Sequence, residues 1–486
     1  MQQLQVDVAI IGAGSAGMAA YRAAHASGKR VVLIEGGPYG TTCARVGCMP
    51  SKLLIAAAEA AHAVQAAPGF GVMTQPARID GVAVLARVRR ERDRFVGFVL
   101  ESIEGFAEQD RLRGWAKFID AHTLQIDDHT QVHAQRVVIA TGSTAVIPDE
   151  LQAARARVHI CDDVFEWQNL PQRVAVVGTG IIALELGQAL HRLGVHVTIV
   201  GRRDRVAHLS DPEVLATARQ VLSEELNIRF NTRLLGSELV EVAGVGQQVL
   251  LHSRGADGAE YHEHYDYVLA AAGRKPNLQN MGLEHVGLVY DAKGIPLFDS
   301  HTMQCSNPNI FIAGDVDDER PLLHEAADQG KIAGENAARA DKPHPGLRRC
   351  PIAVAFCDPQ IATVGLSYQQ LQAKIGRQVV VGAVSFVGQG RSRVMLQNKG
   401  LLRVYARCSD GGFLGAEMFG PRAEHLAHLL AWACQSHMTV AQMLDMPFYH
   451  PVIEEGLRTA LRELQHQLKL GCGEADEGED ESAPGV

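Results

Sequence analysis

An apolar run, Val6 to Ile11, stops at Gly12-Ala13-Gly14-Ser15-Ala16-Gly17. An alanine-rich stretch follows, and a second apolar run, Arg30 to Ile34, ends at Glu35. This is the order strand, glycine turn, helix, strand. Gly12, Gly14 and Gly17 allow a tight turn, close approach of backbone to a pyrophosphate and close helix packing, while Glu35 can accept hydrogen bonds from a ribose. The pattern returns: Arg173 to Val177 leads into Gly178-Thr179-Gly180-Ile181-Ile182-Ala183, then a helical stretch from Glu185 to Leu193 and a strand from His196 to Val200. The chain therefore carries two dinucleotide folds.

The first fold serves as a ruler for the second. Gly12 and Glu35 are 23 positions apart, and the same step from Gly178 falls on Gly201, so the second fold has no acid at its ribose position. Arg202 and Arg203 follow at once, with Arg205 and His208 close behind. Arginine beside an adenosine ribose accommodates a 2′-phosphate, which sets NADP against NAD; the same run also reads as a solvated surface cluster.

Composition narrows the function classes. The 486 residues suggest roughly three domains at about 150 residues each, and 47% apolar with 21% charged residues is ordinary globular composition. The net charge of −9 is mostly contributed by the last sixteen residues, with six acids and no base, so no basic footprint for nucleic acid exists. No charge-free apolar run reaches the roughly 18 residues of a membrane span, and the start lacks the features of a secretory signal. The expected location is cytoplasmic. Nine cysteines are spread without CxxC pairs, unlike a secreted disulfide scaffold. Cys350 and Cys357 read as ordinary buried thiols, and His262 and His264 alternate on a strand without a third ligand, so no metal site is expected.

Cys43 and Cys48 stand apart, in Gly40-Thr41-Thr42-Cys43-Ala44-Arg45-Val46-Gly47-Cys48-Met49-Pro50-Ser51-Lys52. On a regular helix their spacing means about 7.5 Å of rise and roughly 140° of rotation, beyond comfortable disulfide reach. A bridge needs a distorted turn, for which Gly47 and Pro50 supply the means.

Together with Ala140-Thr141-Gly142, Ala272-Gly273-Arg274-Lys275-Pro276-Asn277 and Ile310-Phe311-Ile312-Ala313-Gly314-Asp315, these motifs make the chain resemble the flavin-dependent pyridine-nucleotide disulfide oxidoreductases, the family of dihydrolipoamide dehydrogenase, glutathione reductase and mercuric reductase. The resemblance covers about residues 5 to 470. It implies an α/β chain with two Rossmann-like dinucleotide-binding domains and an α+β carboxy-terminal dimerisation domain. The FAD domain takes 1–150 and 275–345, the NAD(P) domain 151–274, and the interface domain 346–470; the acidic tail 471–486 is expected to be disordered.

The resemblance further implies that Gly12, Gly14, Gly17, Glu35, Thr42, Lys52, Gly114, Ala116, Thr141, Gly142, Ser143, Asp315 and Leu323 serve FAD. Gly178, Gly180, Ile182, Arg202, Arg203 and Gly273 then belong to the nicotinamide nucleotide, and Glu185 pairs with Lys52, whose fixed cation stabilises a reduced flavin. Cys43 and Cys48 become a redox-active disulfide. His450, followed by Pro451 and by Glu455 five positions on, becomes the base that takes a proton from a dithiol, with Glu455 as its orienter. In the family this segment crosses a two-fold interface, so a homodimer with shared active sites is implied.

Phe448 and Tyr449 ahead of His450, and Val452 after it, depart from the family pattern and bear on substrate shape. The single Cys472 of the tail argues against mercuric and large thioredoxin reductases, which need a carboxy-terminal thiol pair. Pro50-Ser51-Lys52 leans to dihydrolipoamide dehydrogenase and Gly201-Arg202-Arg203 to a glutathione-reductase-like enzyme. The expectation is a dihydrolipoyl dehydrogenase using FAD and NAD+, with an NADPH-dependent reductase of a small disulfide as the alternative. A third reading, of another class, is a flavoprotein subunit docking on a 2-oxo acid dehydrogenase or glycine-cleavage complex.

Overall fold

A computed structural model describes residues 1–339 and 341–470; the acidic tail expected to be disordered lies outside the described residues. The first sheet runs Arg111–Arg113, Val31–Glu35, Gln2–Ile11, Thr130–Ile139, Thr123–Ile126, Ala116–Phe118, with Ile310–Ile312 pairing beside Val137 to Ile139. Its centre is parallel, as crossover helices require. Two apolar layers cover its faces, one around Phe118, Ile126 and Ile310, the other around Ile10, Leu33 and Phe311. The late strand Ile310–Ile312 ends beside Ile139, which brings Asp315 back to the sheet edge where Gly12 and Thr141 lie.

Helix Ser15–Ala26 crosses helix Leu323–Ala337 through glycines. A Cβ on Gly330 would collide with the carbonyl of Ala16, and one on Gly334 with that of Ala20. Gly334→Ala gains roughly 0.5–1 kcal/mol of helix propensity, but forcing two backbones apart costs about 1–3 kcal/mol. The expected result is net destabilisation in a thermal or denaturant melt. Gly388→Ala, at a glycine with nothing within 4 Å of a built Cβ, serves as the control; equal melts for both variants would overturn the close-crossing argument.

The second sheet repeats the plan with strands Asn227–Arg229, His196–Val200, Arg173–Val177, Tyr267–Ala270 and Val158–His159, all parallel. A three-stranded antiparallel sheet, Arg233–Val242, Gly246–Arg254 and Glu260–Tyr265, accompanies it. In this sheet His262 faces His252, their Nδ1 atoms 2.6 Å apart.

The third sheet is antiparallel throughout: Ile352–Ala355, Gln360–Gly365, Phe413–Gly420, Leu401–Arg407, Val379–Ser385. Helices Ala423–Gln435 and Glu454–Leu470 close its core. Leu457, Ala460, Leu461 and Leu464, spaced for one helix face, are buried there. The buried carboxylate of Glu417 ties this sheet to the second unit, accepting from Ser210 N at 2.7 Å and Asp211 N at 2.9 Å. Among the described residues no helix is long and apolar enough to cross a membrane.

Candidate active site

The cysteine pair owes its geometry to a break between two helices. Thr41, at φ +58°, caps the short helix Thr42–Val46 by accepting from Ala44 N at 3.2 Å. Gly47, at φ −123° and ψ −114°, interrupts the chain, and the helix Cys48–Ala66 starts at once. The two sulfurs thus sit on different helices, and the rise and rotation of a single helix no longer separate them. Both cysteines are free thiols and share a side-chain hydrogen bond. Cys43 donates it, and its own acidity is pushed far down. Cys48 is lowered to about 7 by that hydrogen bond first, against a burial penalty, with the Lys52 cation assisting.

Lys52 is one helical turn beyond Cys48. Its ammonium donates to Glu185 Oε2 at 2.7 Å and Oε1 at 2.9 Å, and lies 4.7 Å from the centre of the Phe356 ring. Glu185, 4% exposed, also accepts from Phe356 N at 2.9 Å. A buried carboxylate held by a cation and a backbone N–H keeps the ammonium in one place. Phe356 was not singled out from the sequence, because its link to Glu185 spans 171 positions.

The first two glycines of each turn stand in matching places. A Cβ on Gly12 (φ +104°) would strike the Ala140 carbonyl, and one on Gly178 (φ +123°) the Ala271 carbonyl. Gly14 and Gly180, each at a helix start, have nothing within 4 Å of a built Cβ, so a pyrophosphate can approach the helix N–H groups. Gly17 is pressed on Gly12, while Ala183 replaces the third glycine and is buried. Ile182 is half-buried beside it. Glu35 accepts from Ala13 N at 2.8 Å and Gly37 N at 2.7 Å, which places its carboxylate at the first turn.

Around that turn the structure gathers Thr141, Gly142 (φ +68°) and Ser143. Ser143 Oγ donates to Asp315 Oδ2 at 3.0 Å and accepts from Arg274 Nε at 2.8 Å. Gly114 (φ +141°) and the strand holding Ala116 stand on the Glu35 side, where the exposed Trp115 ring covers Gly36. Thr42 is exposed next to Cys43, and Leu323 is exposed at its helix start. In the second unit, Gly273 (φ +118°) follows the strand Tyr267–Ala270. Arg202, Arg203 and Arg205 are exposed just past the strand His196–Val200; among the described residues none of the three is paired with a carboxylate.

His450 lies elsewhere, on the loop before the helix Glu454–Leu470. Its Nδ1 stands 3.0 Å from Glu455 Oε1 and 3.1 Å from Oε2. The contact with His450, then the Val452 N–H, holds the Glu455 carboxyl below the usual carboxylate range. The His450 side chain is 81% exposed, and among the described residues it makes no hydrogen bond to Cys43 or Cys48.

Residues 6–330 match the pyridine nucleotide-disulphide oxidoreductase family, and residues 352–461 match that family's dimerisation domain. The chain belongs to this family. It is 31% identical to mercuric reductase of Staphylococcus aureus over 473 residues, covering 96% of this chain and 84% of that one. It is 30% identical to dihydrolipoyl dehydrogenase of Thermus scotoductus, covering 95% and 98%. The HOCl-induced flavoprotein disulfide reductase RclA of Escherichia coli superposes with a TM-score of 0.78 at 22% identity, over 94% of this chain and 99% of that one, a likeness of fold.

As a member, the chain uses FAD and a nicotinamide dinucleotide. The residues present fit both groups: two glycine cradles that no Cβ could share with the neighbouring strand, and a carboxylate beside the first. One sequence reading needs correction. Cys357 is buried, but Cys350 is only half-buried and has a thiol partner, Cys434. No spacing signal links two residues so far apart.

Proposed function

We propose that this chain oxidises dihydrolipoamide to lipoamide through Cys43 and Cys48, passing two electrons to a nicotinamide nucleotide. The observation that supports it is the unequal thiol pair. One sulfur is an acid lowered to about 7 beside a fixed cation, the other a hydrogen-bond donor to it.

In the oxidised enzyme Cys43 and Cys48 form a disulfide. His450, supplied by a second copy of this chain, takes a proton from the dithiol, and Glu455 balances the imidazolium that results. The substrate thiolate attacks Cys43, the Cys43–Cys48 bond breaks, and Cys48 leaves as a thiolate held by Lys52. The second substrate sulfur then attacks the first, closing lipoamide and releasing Cys43 as a thiol. Two thiols of the substrate become one disulfide, and the protein disulfide becomes the Cys43 thiol and the Cys48 thiolate, with the other proton on His450. Bound FAD supplies the two-electron centre between this pair and the nicotinamide. Lys52, locked by Glu185 and Phe356, keeps positive charge at that centre.

The test is turnover of free lipoamide by the purified FAD-loaded protein with NAD+ or NADP+, and in reverse with NADH or NADPH. Absent lipoamide turnover in every arm overturns the reading. The exposed Arg202, Arg203 and Arg205 favour a second reading, in which NADPH drives reduction of a small disulfide. If they hold a 2′-phosphate, the double variant R202A/R203A raises KM for NADPH about 10- to 100-fold, since hydrogen bonds to charged groups are worth about 1.5–3 kcal/mol. KM for NADH stays within a factor of about three. Equal changes for both nucleotides assign the arginines to the solvated surface.

A further inference from the structure

A second pair of thiols lies outside the proposed reaction. Cys350 precedes the strand Ile352–Ala355, on the way into the third sheet, and Cys434 is at the end of helix Ala423–Gln435. Three contacts hold the segments together. Cys350 N donates to the Gln435 side chain at 2.7 Å, across 85 positions. Gly365 N donates to Pro351 O at 2.9 Å. Cys434 Sγ sits 3.2 Å from where a Cβ of Gly365 would stand, room that only glycine leaves. Both thiols are half-buried against the same core.

Cys350 Sγ donates to Pro351 O at 3.7 Å, and the interaction between the two thiols holds Cys434 below its ordinary thiol range and drives Cys350 above it. The other thiols differ. Cys161 and Cys305 are buried, with burial pushing each up to about 12. Cys357 is buried with its sulfur on Pro359 O.

We infer that Cys350 and Cys434 are a second dithiol–disulfide site, oxidised by low-molecular-weight disulfides. Cys434 attacks the small disulfide, forms a mixed disulfide and expels one small thiolate. Cys350, losing its proton to solvent, attacks the Cys434 sulfur and expels the second. Two protein thiols and one small disulfide become one protein disulfide and two small thiols, and an excess of small thiol runs the exchange backwards. The bridge staples the segment entering the third sheet to the end of helix Ala423–Gln435. That strand leads into Phe356, which contacts both Lys52 and Glu185. The inference is independent of the identity of the dithiol substrate.

Oxidised glutathione is the probe. The full-length FAD-loaded protein is incubated with it, free thiols are alkylated, and a non-reducing digest is analysed by mass spectrometry. The expected result is a linked peptide pair containing Cys350 and Cys434 as their major form, lost after excess reduced glutathione. In C350S, Cys434 is expected to stop at the glutathione mixed disulfide; in C434S, Cys350 is expected to stay unmodified. The linked Cys43–Cys48 peptide in the same digest shows that the oxidant has acted. Separate alkylation of Cys350 and Cys434 in that sample, or a link from either to another cysteine, overturns the proposal. The wild-type map decides this even if a variant does not fold.

Discussion

Cys43→Ser, in the FAD-loaded protein, is expected to lower lipoamide turnover on the order of 10⁴-fold or more, the scale on which removal of a residue that bonds covalently to the substrate acts. Reduction of a small artificial electron acceptor by the nicotinamide nucleotide should persist, because no sulfur exchange is asked of it. A second variant separates the two roles of this residue. A serine hydroxyl at 43 can still donate to Cys48, whereas Cys43→Ala cannot. Since the Cys43 hydrogen bond is the first cause of the lowered Cys48 acidity, C43A should move Cys48 from about 7 back toward the ordinary thiol value of about 8.5.

The sign is fixed by which form the bond favours. A donor to sulfur favours the thiolate, so its loss requires higher pH to reach the same thiolate fraction. At pH 7 the fraction falls from about one half to a few per cent. Thiolate ultraviolet absorbance against pH reads this directly. Burial opposes the thiolate, and Lys52 recovers part of that cost, so Lys52→Ala should raise Cys48 less than C43A does. An unchanged Cys48 titration in C43A would sink the assignment of the unequal pair.

What the sequence could tell depended on how local each signal was. The glycine turns were legible because the turn, the approach to phosphate and the helix contact each demand a small residue within one short stretch. The break at Gly47 was legible in the same way, since a glycine and a nearby proline mark a chain that leaves helical geometry. His450 and Glu455 were read from five-residue spacing plus resemblance, and the structure brings them within hydrogen-bond distance. The helix after them starts at Glu454, ahead of its first buried leucine, Leu457, because its first turn is acidic. Phe356 and the Cys350–Cys434 pair were not legible at all. Each is assembled by strand and helix packing across the third sheet, and nothing in the local residue pattern marks it. The Arg202–Arg203 run was legible as charge alone: its side chains are exposed and, among the described residues, paired with no carboxylate, which leaves them open to a 2′-phosphate.

His450→Gln should lower kcat for dihydrolipoamide oxidation by about 10²- to 10⁴-fold, the usual contribution of a positioned base. KM should change little, since an amide of similar size occupies the place. The loss should shrink as pH rises and the substrate thiol ionises unaided, which a merely structural defect would not reproduce. Glu455→Gln keeps an oxygen to accept from the ring N–H but removes the charge that balances the imidazolium, so a loss smaller than that of H450Q is expected.

The exposure of His450, and its lack of any hydrogen bond to Cys43 or Cys48 within the described chain, turn this into a test of architecture. C43S and H450Q homodimers should each turn over lipoamide at least about 10²-fold more slowly than the unsubstituted protein. A mixed dimer built from one chain of each has one site in which both substitutions meet and one site in which neither does. Co-expressed chains carrying two different tags, purified through both, should therefore recover turnover well above that of either parent. If the doubly tagged dimer is pure and stays as slow as its parents, the base does not come from the second copy, and His450 would have to act on the cysteines of its own chain.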